Sequence, residues 1–286
     1  MHKRFGLVIV LLMVVLAVAC GGATPTPARQ PLSLAPAGTG LRKIQDRGKL
    51  IVGTRADTPT FCYLNPQTNR MEGFDVVLAK EIATFIFGDP GKVEFKLITS
   101  AERIPLLKEG AIDLAIATMT INEARLKEID FSIVYYVAGQ RLLVPQTSEV
   151  KGLGDLDNKK VGVARGTTSA ENLRKYGKVQ LVEFDTWGAA VQALTANQVD
   201  AVSTDDIMLY GFQVTTPNTK VVGSQFSYEP YGVGIAKNNP ELVNAVNTVI
   251  KDLKTSNKWK TIWMTEVGNK IGVTIAPEPP PDDWRR

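Results

Sequence analysis

The 286-residue chain has a single histidine, His2, and only two cysteines, Cys20 and Cys62. A Ser-His or Cys-His nucleophile needs an imidazole, and so do most catalytic zinc sites. His2 falls in a leader, so the mature chain has no residue for either chemistry, and neither a metal nor a cofactor is expected. Cys62 has no partner for an intramolecular disulfide if Cys20 is acylated, and reads as a small buried filler. An excess of one charge is also lacking. The 33 Lys and Arg stand against 29 Asp and Glu, a net charge of +4, and the basic residues are scattered among acids. Nucleic acid is therefore not an expected partner. The longest apolar run, residues 5–19, has 15 members, short of the roughly 20 that a spanning helix needs.

That run follows Lys3 and Arg4 and has the form of a secretory signal over residues 1–19. Leu16-Ala-Val-Ala19 leads into Cys20, which resembles the lipobox of bacterial lipoproteins and implies acylation at Cys20. Residues 20–40 are rich in Gly, Ala, Thr and Pro without apolar periodicity, as in a flexible tether. Residues 266–286 form a C-terminal tail, whose Pro-rich end, residues 277–286, is expected to be poorly ordered.

Between these ends, residues 113–125 concentrate the chemistry. Leu114-Ala-Ile-Ala117 has the length of a buried strand. Thr118 and Thr120 put hydroxyls at its end, and Thr120-Ile-Asn-Glu123 has the form of a capping box. A helix starting there carries Arg125 in its first turn. Hydroxyls, free helix amides and a guanidinium together suit a small carboxylate. The flanking sequence alternates strands with helices, then repeats that programme from residue 160. The pattern predicts an α/β protein of two lobes, each a mostly parallel sheet flanked by helices. The polar loops 55–61, 99–103, 118–125, 165–169 and 204–206 fall at carboxyl ends of strands, where α/β sheets bind ligands. Lobe 1 is expected over 41–138 and 230–265, and lobe 2 over 139–229. Two hinge crossings are expected, near 138–140 and 229–231.

Several motifs carry a family resemblance. They are Gly73-Phe-Asp75, Arg103-Ile-Pro-Leu-Leu107, Asp113-Leu-Ala-Ile-Ala-Thr-Met-Thr120 with Arg125, Asp130-Phe-Ser132 with Tyr135-Tyr136, Val161-Gly-Val163 with Gly166-Thr-Thr168, and Val199-Asp-Ala201 with Asp205. In that order and spacing the chain resembles the extracellular solute-binding proteins of family 3, the polar amino-acid receptors of ABC importers. The resemblance implies a type II periplasmic-binding fold and a monomer held at the membrane by its lipid anchor. It also implies an extracytoplasmic receptor that closes on an amino acid and presents it to a membrane permease. Arg125 would grip the α-carboxylate with Thr120, and Asp205 with Thr118 would receive the α-ammonium. Thr168 would complete the site from the second lobe. Arg55 and Arg103 would read the side chain, as in the glutamate and aspartate receptors of the family; glutamine or another polar amino acid is the alternative. Phe61 fits either the wall of the site or the core, and Asp205 and Asp206 also fit as caps of the helix that follows. A dehydratase-like enzyme on the same fold would need an acid in the cleft, for which Glu102 is the nearest residue.

Overall fold

The computed structural model describes residues 30–285. The signal segment, Cys20 and the first part of the tether lie outside the described residues. Residues 30–40, expected to be free, are docked: Leu32 N–H donates to Phe85 O at 3.1 Å, and Ala35 N–H to Gln45 Oε1 at 2.8 Å.

The first lobe opens with α1 (Gly40–Arg47), which is capped by Thr39, buries Leu41 and Ile44, and is closed by Gly48 in the left-handed region. Next come β1 (Leu50–Thr54) and a small antiparallel sheet of β2 (Asp57–Thr58), β3 (Cys62–Asn65) and β4 (Arg70–Glu72). Asn65-Pro66 begins the turn between the last two. Helix α2 (Phe74–Phe87) starts at Gly73, whose φ is +116°. A Cβ there would sit 2.3 Å from Phe61 O, so only glycine fits. The lobe continues through β5 (Val93–Leu97), α3 (Arg103–Lys108), β6 (Leu114–Ala115), α4 (Glu123–Glu128), β7 (Ile129–Phe131) and β8 (Tyr136–Ala138).

The second lobe contains β9 (Gln140–Pro145), β10 (Lys160–Ala164), α5 (Thr168–Tyr176) and β11 (Gln180–Phe184). It ends with α6 (Trp187–Thr195), β12 (Ala201–Asp205), α7 (Asp206–Thr215) and β13 (Thr219–Val222). The chain then returns through β14 (Glu229–Tyr231) and β15 (Gly234–Ala236) to α8 (Pro240–Thr255) and α9 (Lys258–Glu266) on the first lobe. Strands β8 and β14 pair antiparallel, Ala138 opposite Glu229 and Tyr136 opposite Tyr231. The chain passes between the two main sheets at this pair of strands.

The two main sheets share one plan, with orders β5-β1-β6-β15-β7 and β11-β10-β12-β9-β13. In each, the first three strands are parallel and the fourth is antiparallel to both its neighbours. The sheets are therefore mixed rather than uniformly parallel. The reversed strand is in each case the one that arrives from a hinge. A strand entering from the cleft side must run against strands whose carboxyl ends point at the cleft.

The carboxyl-terminal tail is also ordered, contrary to expectation. Val134 N–H donates to Asp282 O at 3.1 Å, and Lys254 Nζ reaches Pro280 O at 2.9 Å and Asp282 Oδ1 at 2.8 Å. Trp284 packs on the first-lobe core. Prolines have little conformational freedom to lose, so a few anchors suffice to hold the segment.

Candidate functional site

The strand ends bring six buried charged side chains to one cleft: Arg55, Arg103 and Arg125 with Asp75, Asp205 and Glu229. Among the described residues no other charged side chain is buried. Charged groups are rarely buried this fully without partners, so each position needs its own account.

Thr118 follows β6 with φ +45°, a costly conformation for a β-branched residue. Its N–H is held by Asp75 Oδ2 at 2.9 Å, and Tyr135 O–H donates to the other carboxylate oxygen at 2.9 Å. Burial pushes the Asp75 carboxyl up to about 6, against the pull of those donors and of Arg55. Arg55, leaving β1, donates to the hydroxyls of Thr118, Ser100 and Thr58. Arg103, on α3, donates to Ser100 O at 2.9 Å, Ala117 O at 3.1 Å and Gly166 O at 3.3 Å.

Arg125 donates to Thr120 O at 2.7 Å and Gly166 O at 3.3 Å. Its helix is capped by Asn122 and not by Thr120, because Asn122 Oδ1 reaches Arg125 N–H at 2.9 Å. Thr120 is thereby freed, and its hydroxyl donates to Glu229 Oε2 at 2.7 Å. Thr168 Oγ1, from the other lobe, donates to the same oxygen at 2.8 Å. Asn172 and Ser227 complete the shell of Glu229 at 3.1 and 2.6 Å.

Asp205 ends β12. Its Oδ2 accepts from Tyr231 O–H at 2.5 Å, while Oδ1 is buried without a partner. Its side chain does not cap α7. Burial, reinforced by Glu229, pushes its carboxyl well above the usual range. The Arg103 guanidinium is pushed well below its ordinary value by burial first, then by Arg125 and Arg55. Burial lowers Arg55 too, yet Cys62, Asp57, Tyr231 and Asp75 together raise it above the ordinary value. Asp57 and Asp75 thus act on Arg55, whereas Glu171, Glu229 and Asp205 act on Arg125.

Arg55, Arg103, Thr118, Thr120, Arg125, Thr168 and Asp205 line one tightly closed cavity, about 10 Å³, with room for little more than a water molecule. Phe61 does not line it. It is fully buried in an aromatic core, 5.1 Å from the Tyr136 ring and 5.6 Å from Phe74, because a large ring without a polar tip gains most by packing there. Trp187, Ser169, Thr204 and Met208 line the cavity as well, and the Trp187 indole N–H is a buried donor without a partner. Only the position of Ser169 and Thr204 in the polar loops hinted at this; Trp187 and Met208 look like core residues. Asp75 and Glu229 were likewise not singled out as charges of the site.

Other residues stay out of the cleft. Arg165 is exposed and pairs with Asp185 at 3.3 Å. Glu102 is exposed, and the Thr99 N–H holds its carboxyl below the usual range, the opposite of a poised acid. Cys62 is buried and free, its thiol pushed up to about 12 by burial, hence inert. Among the described residues no group of His, Cys, Asp and Glu could hold a metal ion, and no helix is long and apolar enough to cross a membrane.

Residues 50–266 match the bacterial extracellular solute-binding proteins, family 3. The chain belongs to this family. It is 48% identical over 199 residues to the glutamine-binding protein of Geobacillus stearothermophilus, covering 69% of this chain and 76% of the relative. It is 38% identical over 268 residues to the ABC transporter glutamine-binding protein GlnH of Bacillus subtilis (strain 168), covering 92% and 96%. Among solved structures, an ancestral arginine-binding protein bound to glutamine superposes with TM-score 0.71 at 38% identity, over 77% of this chain and 97% of that one. The fold is the type II periplasmic-binding fold.

The folded Asp75 carboxyl keeps its proton up to about pH 6, the unfolded one only to about 3.8. Between those values the folded state holds the extra proton, so raising the pH across that window lowers stability. Asp75→Asn keeps the shape without the charge. Its stability relative to wild type should rise by about 2 kcal/mol from pH 4 to 6.5 and level off above about pH 7. Urea melts at several pH values measure this; a pH-independent difference would contradict it.

Proposed function

We propose that the protein is the amino-acid-binding receptor of an ABC importer, and that its ligand is glutamine. The observation that carries the reading is the charge count: three guanidiniums and three carboxylates are buried around one cavity. Their sum is zero, which suits a ligand that is itself a zwitterion without net charge. The expectation of an acidic ligand rested on two arginines against one aspartate; Asp75 and Glu229 alter that balance. The two relatives named for glutamine support the same ligand.

In this account the α-carboxylate lies on Arg125, and the α-ammonium donates to the unpartnered Asp205 Oδ1. Unpaired, either ligand charge would cost several kcal/mol on leaving water. The side-chain amide reaches toward Arg55, Ser100 and Arg103. Thr120 and Thr168 already give their hydroxyls to Glu229, so the ligand carboxylate takes backbone N–H groups beside them.

Glutamate is the second reading. It is favoured by the cavity wall itself, where three arginines stand against Asp205 alone. Calorimetric titration of the soluble protein with the amino acids tests both. Glutamine is expected to bind more tightly than glutamate and aspartate. Tight glutamate with silent glutamine establishes the second reading, and silence from every amino acid sinks both.

Capture proceeds by hinge closure between residues 41–138 with 230–265 and residues 139–229. Across the cleft, Asp57 accepts from Gly188 N–H at 3.0 Å, and a Cβ on Gly211 would meet Pro59 O at 2.7 Å. Alanine favours a helix over glycine by about 1 kcal/mol. Gly211→Ala should therefore melt no lower than wild type yet bind at least tenfold more weakly. Unchanged affinity would show that closure does not need this contact. Export by the signal and acylation at Cys20 complete the proposal, with the permease as partner. Cys20→Ala should release the protein into the medium; continued membrane retention would count against the anchor.

A further inference from the structure

The three buried carboxylates do different work. Asp205 lines the cavity with a free oxygen. Glu229 is surrounded by four side-chain donors, Thr120, Thr168, Asn172 and Ser227. Asp75 lies behind the cavity wall, and both its oxygens are taken, by Thr118 N–H and Tyr135 O–H. It cannot touch a ligand. It is separated from Arg55 by one residue, since Arg55 donates to the Thr118 hydroxyl while Asp75 holds the Thr118 amide.

We infer that Asp75 sets the choice between an amide and an acid at the ligand's side chain. Its charge stands beside the arginine that faces that side chain and offsets the attraction for a second carboxylate. Arg55 can then serve as a hydrogen-bond donor to an amide oxygen. Asp75 is 1% exposed, so little water screens it. A buried unit charge acts across a side chain or two with little loss. The same carboxylate fixes the left-handed Thr118, so it is a positioning residue as well as a source of field. The two roles separate cleanly. Loss of positioning weakens every amino acid alike, whereas loss of charge moves glutamate and glutamine in opposite senses.

The inference rests on the amino-acid reading of this site. The test is calorimetric titration of wild type and Asp75→Asn with glutamine and with glutamate at pH 7.5. The ratio of glutamate affinity to glutamine affinity should rise about tenfold or more in the variant, the order expected for one charge at an effective dielectric near 20. Asp75→Glu restores the charge and should bring the ratio back toward wild type even if both affinities fall. Should the amide variant fail to fold, Tyr135→Phe serves instead. It strips one of the two donors that keep the carboxylate ionised, and at pH 6.5 must move the ratio the same way by a smaller factor. A ratio unmoved in a wild-type-like binder overturns the role of Asp75 alone. Wild-type protein that binds neither amino acid overturns this inference together with the reading beneath it.

Discussion

Six charges held out of water, three of each sign, constrain everything else in this molecule. A buried charge costs several kcal/mol unless it is paired or fully hydrogen-bonded. Among the described residues, no two of these six form an ion pair. Arg103 rests on three carbonyl oxygens, Glu229 on hydroxyls and an amide, and Asp75 on an amide and a phenol. Neutral partners hold most of these charges in place, and among the described residues Arg55 alone also has a carboxylate near it, Asp57 Oδ1 at 3.9 Å from its Nε. The field is thus kept for a small molecule that carries both signs.

Such an arrangement requires a rigid frame, and two sheets of identical plan supply it. The carboxyl ends of their parallel strands point into the cleft from both sides. The loop after β10 shows how closely the halves fit. Gly166 has φ +74°, and a Cβ there would lie 2.8 Å from Ala101 Cα. Its carbonyl meets both Arg103 and Arg125 from the opposite lobe. The second lobe thus takes up donor capacity on two guanidiniums and draws them together. The hinge joins in through Glu229, whose carboxylate binds hydroxyls from both lobes.

Much of this was legible in the sequence. The alternation of elements, the two hinge crossings and the loops that carry Arg55, Arg103, Arg125, Thr168 and Asp205 follow from local patterns. What escaped depends on partners distant in the chain. Thr120 resembled a helix cap, but Glu229, 109 residues away, takes its hydroxyl, and Asn122 caps instead. Asp75 stood in the sequence only as part of the Gly73-Phe-Asp75 motif; its role exists only because Thr118 and Tyr135 fold against it. Phe61 could have faced either way until three aromatic neighbours enclosed it. The docked tail depended on Val134 and Lys254, which no local pattern links to Asp282. Net charge in a cleft is a sum over such contacts, so the balance of the site was not readable from the arginines alone.

A crystal structure of the protein grown with glutamine tests the central claim most directly. The account predicts the amino acid inside the closed cleft, its α-carboxylate on Arg125 and its ammonium on Asp205 Oδ1. Its side-chain amide should lie against Arg55, Ser100 or Arg103. Glutamine bound outside the cleft, or bound with its ammonium turned away from Asp205, would contradict it.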